Sequence, residues 1–311
     1  MPPRVSIIIP TLNASNYIEK LFAAFERQSY PGCVEVIVID SSSTDNTIAL
    51  VKKFSSARII SIPRKDFTHG YARNLAVREA HGEYVVFLSQ DALPYNDSWL
   101  ENLVNPLINE GVAASYSKQV PYENAMPMEV YFLKTRFSNA RRLMKIKSSS
   151  HALKLLDVFF SNVSSAARRD IALKHPFQED LIMSEDQQFS RDLLSKGYAV
   201  LYEPASIVWH SHRYSLRTLF QRYFDSAYSL KCIFHQTLGE SVKIGGNYYR
   251  GEVVEMVTKY PLWLPYYFLY LAAKTSGAVA GHYASYIPRK FVKYLSMHKT
   301  FWERPSFNSL S

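Results

Sequence analysis

Val5–Asn13 reads VSIIIPTLN and Val36–Asp45 reads VIVIDSSSTD. Each is a β-branched apolar run that ends in small polar or acidic residues. Runs of that length and composition are buried strands, here over Arg4–Pro10 and Val34–Asp40. After the first, Ser15 is placed to cap a helix with Tyr17, Ile18, Leu21, Phe22 and Phe25 on one face. After the second, Ser43 or Thr44 starts a helix that runs through Phe54. Arg58–Ile62 is a third strand, His69–Ala80 a helix and Tyr84–Leu88 a fourth strand. This alternation predicts an α/β domain, its first roughly 110 residues a doubly wound parallel sheet. Such sheets bind ligands outside the carboxyl ends of their strands. Thr11, Asn13, Asp40 and Asp91 directly follow strands, so one rule places them on one rim.

The first strand-to-helix turn, Pro10–Ser15, contains no glycine. A dinucleotide fold or a P-loop needs glycines there, so that a pyrophosphate can reach the helix N-terminus. Both classes are therefore excluded, and a nucleotide must be held another way.

Further along, Val112–Lys118 reads as a strand and Met128–Met144 as a helix. Arg141–Ser150 is basic, ends in serines and reads as a mobile loop. Val158–Val163 is again strand-like. Glu185–Lys196 is a helix ending at Gly197. Tyr198–Tyr202 and Ile207–Trp209 are short strands, and Leu216–Phe234 is an amphipathic helix. Disorder is expected only at Ser306–Ser311.

The 311 residues are 47% hydrophobic and 20% charged, a globular composition. Cys33 and Cys232 form no motif and read as reduced, buried thiols of a cytosolic protein. The start, Met1-Pro2-Pro3-Arg4, enters a strand rather than a signal core, which predicts a cytoplasmic location. The net charge of +9 is uneven: Ser241–Ser311 carries nine Lys/Arg against three Glu, among many Tyr, Phe and Trp. No nucleic-acid-binding signature accompanies it, and the basic residues flank apolar runs. That favours an anionic membrane surface over nucleic acid. Tyr260–Ala273 and Thr275–Pro288 lack charged residues and are divided by Lys274; each is shorter than a spanning helix requires. They read as interfacial helices, as helices packed on the catalytic lobe or, least of the three, as spanning helices.

Several side chains have the chemistry of a transfer site. Asp40 is suited to accept from a base N–H or a ribose hydroxyl. Asp45 reads as a cap or turn residue. Arg73 and Asn74 lie early in the His69–Ala80 helix, where His69 and Gly70 leave room for close approach; an arginine there can clamp phosphate or stack on a base. Asp91 offers a hard oxygen for a diphosphate-bound metal. Glu185-Asp186 opens a helix, either as favourable charges at its N-terminus or as a general base. His210 and His212 of WHSH follow a strand, where imidazoles can complete a divalent-metal site with Asp91.

Taken together, VSIIIPTLN, VIVIDSSSTD, FTHGYARN, FLSQDALP (Phe87–Pro94) and SED (Ser184–Asp186) resemble family 2 glycosyltransferases, inverting enzymes of the GT-A nucleotide-sugar fold. The likeness covers about residues 4–215. FTHGYARN, FLSQDALP and WHSHRYSLRTLFQRYFD further resemble bacterial rhamnosyltransferases of O-antigen or surface polysaccharide synthesis. Two departures stand out. Asp40-Ser41 occupies a place where the family often has two Asp, and Ser89-Gln90-Asp91 replaces the common Asp-x-Asp.

The resemblance implies a GT-A type mixed, mostly parallel sheet with a helical C-terminal extension. Residues 1–115 would be the nucleotide-sugar half of one domain and 116–235 its acceptor and base half. Residues 236–311 would be a basic, aromatic, membrane-associated helical region. Pro10, Thr11, Asn13, Asp40, Ser42, His69, Arg73, Gln90 and Asp91 would line the donor site. Asp91 and His210, with His212 in reserve, would hold Mg2+ or Mn2+. Asp186 would be the base, with Glu185 orienting the acceptor. The implied reaction is a single inverting displacement from dTDP-L-rhamnose onto an undecaprenyl-diphosphate-linked saccharide, at the inner face of the bacterial cytoplasmic membrane. A UDP- or GDP-sugar enzyme and a non-catalytic nucleotide-sugar-binding scaffold are the alternatives.

Overall fold

The computed structural model describes residues 2–146, 153–235 and 237–304. The chain begins β1 (Val5–Thr11), α1 (Ser15–Glu26), β2 (Val34–Asp40), α2 (Thr47–Val51), β3 (Ala57–Ser61), α3 (His69–Glu79), β4 (Tyr84–Leu88) and β5 (Leu93–Pro94). There follow α4 (Trp99–Asn109), β6 (Ala114–Val120), α5 (Pro127–Arg136), β7 (Arg142–Met144), β8 (Ser164–Arg168), α6 (Arg169–Lys174), α7 (Glu185–Ser195) and β9 (Val200–Trp209). Four helices complete it: α8 (Leu216–Phe234), α9 (Leu238–Lys259), α10 (Leu264–His282) and α11 (Arg289–Leu295).

These elements form two compact units. The first comprises Met1–Val120, Phe137–Asp180 and Glu185–His210; the second comprises Pro121–Arg136, Leu181–Ser184 and Ser211–Ser311.

Among the described residues, the strands of the first unit make one nine-stranded sheet, ordered β3-β2-β1-β4-β8-β6-β9-β5, with β7 on β9. The β3-β2-β1-β4 half is parallel throughout, as the alternating pattern predicts. The pairing then turns antiparallel at β8, so the sheet is mixed. Val5, Ile7, Ile9, Val36, Val38, Val86 and Leu88 share a buried core with Ile18, Leu21 and Phe22 of α1 and Trp99 of α4. Burying each such side chain contributes about 1.5–3 kcal/mol.

Several boundaries differ from expectation. Ser15 is the first residue of α1 rather than its cap: its N–H donates to Asp45 and the Ala14 N–H to Thr47, so the neighbouring loop caps this helix. Tyr17 is exposed rather than on the buried face. α2 is one short turn, and α5 stops at Arg136. Arg141 then pairs with Glu110 and Glu203, and Arg142–Met144 joins β9 as a strand, not a loop; residues 147–150 of the expected loop and Ser306–Ser311 lie outside the described residues. Val158–Val163 is not a strand, because Phe160 exchanges its main-chain hydrogen bonds with the Gln187 side chain instead of a ladder. The two short strands after Gly197 are one strand, β9, with a register shift opposite Ser117 and Lys118. Both cysteines are free thiols, but exposed rather than buried.

The second unit is helical. Gly277 and Gly281 of α10 lie against the Phe220 and Phe224 carbonyls of α8, where any Cβ would collide. Lys274 does not divide this region as expected: α10 runs through it and buries it at 3% exposure. Glu252 of α9 faces Lys274 at 3.4 Å and accepts from the Tyr248 and Tyr267 hydroxyls. The rings of Tyr248 and Tyr249 lie 4.7 and 4.8 Å from the ammonium. Among the described residues no helix is long and apolar enough to cross a membrane.

Candidate active site at the carboxyl ends of the strands

The ends of β1 and β2 are woven together by their own side chains. Asp40 is buried and accepts from the Thr11 hydroxyl at 3.1 Å, the Ser43 hydroxyl at 2.5 Å and the Ser43 N–H at 2.9 Å. Asn13 and Ser42 both adopt left-handed backbone, at φ 51° and 66°. Asn13 accepts from the Thr44 N–H and donates its own N–H to Ser43; the Ser42 hydroxyl donates to the Ile62 carbonyl. Pro10 sits in β1 opposite Ile39. The rim is held together by its own side chains.

Gln90 joins the same rim from β4. Its amide accepts from the Leu12 N–H and donates to the Leu12 carbonyl. Arg64, just beyond β3, donates to the Ser41 hydroxyl at 3.3 Å and lies over the Phe67 ring. Burial lowers the pKa of its guanidinium from the ordinary value. The strand-end rule that singles out Asp40 also points to Arg64, which the sequence reading passed over.

On α3, Thr68 caps the helix by accepting from the Tyr71 N–H. The room beside Gly70, expected to admit a ligand, is filled by the Gln178 carbonyl. The ring of His69 stands edge-on to Phe67, and its carbonyl accepts from Arg73. Arg73 also donates to Glu185 at 2.5 Å, with both side chains buried. The Nε–H of Arg73 is buried with no protein partner. Asn74 donates to the Phe177 carbonyl and to Glu179, locking α3 to the segment before α7.

Asp186 follows Glu185 at the start of α7. It accepts from the Asn162 N–H at 3.3 Å and the Gln187 N–H at 2.9 Å. Burial first, and then the charge of Glu185, push its carboxyl well above the ordinary carboxylate range. Asn162 touches both acids, because its side-chain amide donates to Glu185 at 3.3 Å.

The last group gathers where β4 and β9 end. Asp91 and His210 of the first unit stand together there, whereas His212 belongs to the second unit. The Nε2 of buried His210 is 3.7 Å from Asp91. Its Nδ1 is 2.9 Å from the Gln119 Oε1, while the Gln119 amide nitrogen donates to Ser161 at 2.9 Å. With the Gln119 Oε1 as acceptor, the matching tautomer of His210 carries its proton on Nδ1 and turns Nε2 toward Asp91. A carboxylate and an imidazole, with a partner behind the ring, are ligand types that can contribute to a divalent-metal site. Gln119 was not singled out in the sequence; its one signal is its place at the end of a strand.

The chain is similar to solved glycosyltransferases in fold. A mannosyltransferase from Pyrobaculum calidifontis, solved with GDP-Man and Mn2+, superposes with a TM-score of 0.57 at 20% identity, covering 99% of this chain and 88% of that one. Staphylococcus aureus TarS, solved with UDP, superposes at 0.53 and 17% identity, covering 94% of this chain and 83% of that one. In sequence, the O-antigen chain rhamnosyltransferase RfbN of Salmonella typhimurium is 31% identical over 311 residues, covering 98% of each chain. WbaN of Salmonella anatum, of the same description, is 31% identical over 312 residues, 99% of this chain and 98% of that protein. Residues 6–173 match the model of glycosyl transferase family 2. With more than half of the chain inside that model and full-length relatives above 30% identity, the chain belongs to glycosyl transferase family 2 and is a glycosyltransferase of the GT-A fold.

Proposed function

We propose that this enzyme transfers L-rhamnose from dTDP-L-rhamnose to a hydroxyl of an undecaprenyl-diphosphate-linked saccharide during bacterial surface polysaccharide synthesis. The full-length likeness to two O-antigen chain rhamnosyltransferases carries this reading.

Residues 1–115 bind the donor, residues 116–235 bring the acceptor and base, and residues 236–311 meet the membrane. Thr11, Asn13, Asp40 and Ser42 form the nucleotide rim, with Pro10, His69 and Gln90 shaping it. Arg64, which donates to Ser41 at the rim, is placed to meet anionic oxygens, and Arg73 supports the same rim from α3. Asp91, His210 and His212 would hold Mg2+ or Mn2+, which when bound neutralises the leaving diphosphate. Asp186 takes the proton of the acceptor hydroxyl as that oxygen attacks the anomeric carbon. The carbon–oxygen bond to the diphosphate breaks on the opposite side, so the configuration inverts.

Exposed Leu262, Phe268, Tyr286, Phe291 and Tyr294, with the exposed Lys290, support a peripheral seat on the inner face of the cytoplasmic membrane. Pelleting with anionic but not neutral vesicles is the expected result.

A panel of dTDP-rhamnose, UDP-glucose, UDP-GlcNAc, UDP-galactose and GDP-mannose, assayed for binding and slow hydrolysis with Mg2+, Mn2+ or EDTA, tests the donor. Metal-dependent selection of dTDP-rhamnose is expected. Preference for a UDP- or GDP-sugar would overturn the donor.

A further inference from the structure

We infer that Arg73, Glu185 and Asn162 are positioning residues for the proton acceptor: Arg73 holds the Glu185 carboxylate in place, Glu185 sets its charge beside Asp186, and Asn162 ties the two acids together. This rests on Asp186 being the base.

The geometry gives each residue a separate part. A carboxylate buried alone takes up a proton rather than stay charged. Glu185 is buried but not alone, because the Arg73 guanidinium donates to it at 2.5 Å and the Asn162 amide at 3.3 Å. Arg73 is itself held by the His69 carbonyl at 3.3 Å. Asn162 is fixed in turn by the Ser165 hydroxyl, which donates to its Oδ1 at 2.8 Å. Glu185 is thus held from outside its own helix, by Arg73 on α3 and by Asn162 in the turn before β8.

Among the described residues no cation is bonded to Asp186. Its hydrogen bonds come from two main-chain N–H groups, of Asn162 and Gln187. The charged groups acting on it are Glu185 on its own helix, which raises its proton affinity, and Arg73 on α3, which lowers it. Burial is the larger cause of the rise, and Glu185 outweighs Arg73. A carboxylate so placed is a stronger base than an ordinary one, which suits it to a sugar hydroxyl. The arginine expected to serve the nucleotide thereby also serves the base.

The test is the pH profile of kcat/KM with whichever nucleotide sugar the enzyme turns over. Alongside it, the full chain labelled with 13C-carboxyl aspartate is titrated by NMR, the Asp186 resonance being the one missing from Asp186→Asn. In Glu185→Gln, both the acid limb and the NMR midpoint should move to lower pH by about one unit. The maximal kcat should drop on the order of tenfold with little change in donor KM. An unmoved midpoint, or an unmoved limb with a raised donor KM, would overturn the proposal and make Glu185 a donor contact or a packing residue. Should Glu185→Gln not fold, Arg73→Met/Glu185→Leu removes both buried charges together, and its NMR midpoint should also fall. If no nucleotide sugar is turned over, the proposed function fails, and the NMR midpoint still decides this inference.

Discussion

Gln90 grips Leu12 at two points, accepting from its N–H at 2.8 Å and donating to its carbonyl at 3.2 Å. A side-chain amide here does what a neighbouring strand would do for an isolated peptide unit. It ties the turn after β4, which carries Asp91, to the loop after β1, which carries Asn13. Gln90→Glu keeps the acceptor but sets a second oxygen against the Leu12 carbonyl, so it should cost more than Gln90→Ala. We expect losses of about 1–3 kcal/mol for Glu, measured by denaturant unfolding, and weaker nucleotide binding by calorimetry in both variants. Equal stability in all three proteins would refute the clamp.

Behind the candidate metal site, the Gln119 Oε1 lies 2.9 Å from the Nδ1 of His210, whose Nε2 faces Asp91. Gln119→Leu removes that contact without touching a ligand atom. Mn2+ affinity, read by electron paramagnetic resonance, should fall about 10–100-fold, and His210→Ala should lose more. Unchanged affinity in Gln119→Leu would mean that the ring is oriented by packing alone.

The parallel half of the sheet was legible because Val5–Ile9, Val36–Ile39 and Val85–Leu88 are apolar runs buried on both faces. β8 was not, because Ser164-Ser165-Ala166-Ala167 is too small and too polar to look like a strand; its pairing with β4 and β6 makes it one. Asp40, Asp91 and His210 were found because each follows a strand. The Arg73–Glu185 pair was not, since its members lie 112 residues apart and only the folded chain brings them together. Lys274 misled because charge in a sequence suggests a boundary, whereas here four tyrosine rings and one glutamate surround it.

Asp186→Asn separates turnover from stability. Turnover should fall on the order of 10²–10⁴-fold with donor binding retained. Because the native carboxyl holds its proton to higher pH than the unfolded one, its contribution is present at low pH and lost as pH rises toward and through the native value. The amide has no such loss. The variant should therefore melt higher than the wild type at pH 8 and about equally at pH 4, by calorimetric scans.

Asp225 on α8 carries a second pH dependence. It accepts from the Met297 N–H at 2.9 Å, and burial pushes its carboxyl up to about 7 against the hydrogen bonds from Ser296, Met297 and His298. The native state therefore binds the proton that the unfolded state releases. Stability from this group should decline between the ordinary aspartate value and pH 7, by at most about 1.4 kcal/mol per pH unit. Asp225→Asn should flatten that part of the stability curve. A curve unchanged in slope would assign the dependence elsewhere.

Glu252 and Lys274 tie α9 to α10 inside the second unit, and their burial makes the consequences of substitution asymmetric. Glu252→Gln leaves a buried ammonium without its anion and should destabilise by about 3–5 kcal/mol. Lys274→Met leaves Glu252 with the Tyr248 and Tyr267 hydroxyls but no cation, and should be similarly costly. Removing both charges in Glu252→Leu/Lys274→Met deletes the desolvation cost with the attraction, so the double variant should be more stable than either single one. Urea unfolding of the four proteins gives the coupling directly. Additive losses would mean that the tyrosine rings, and not the carboxylate, hold the ammonium in place.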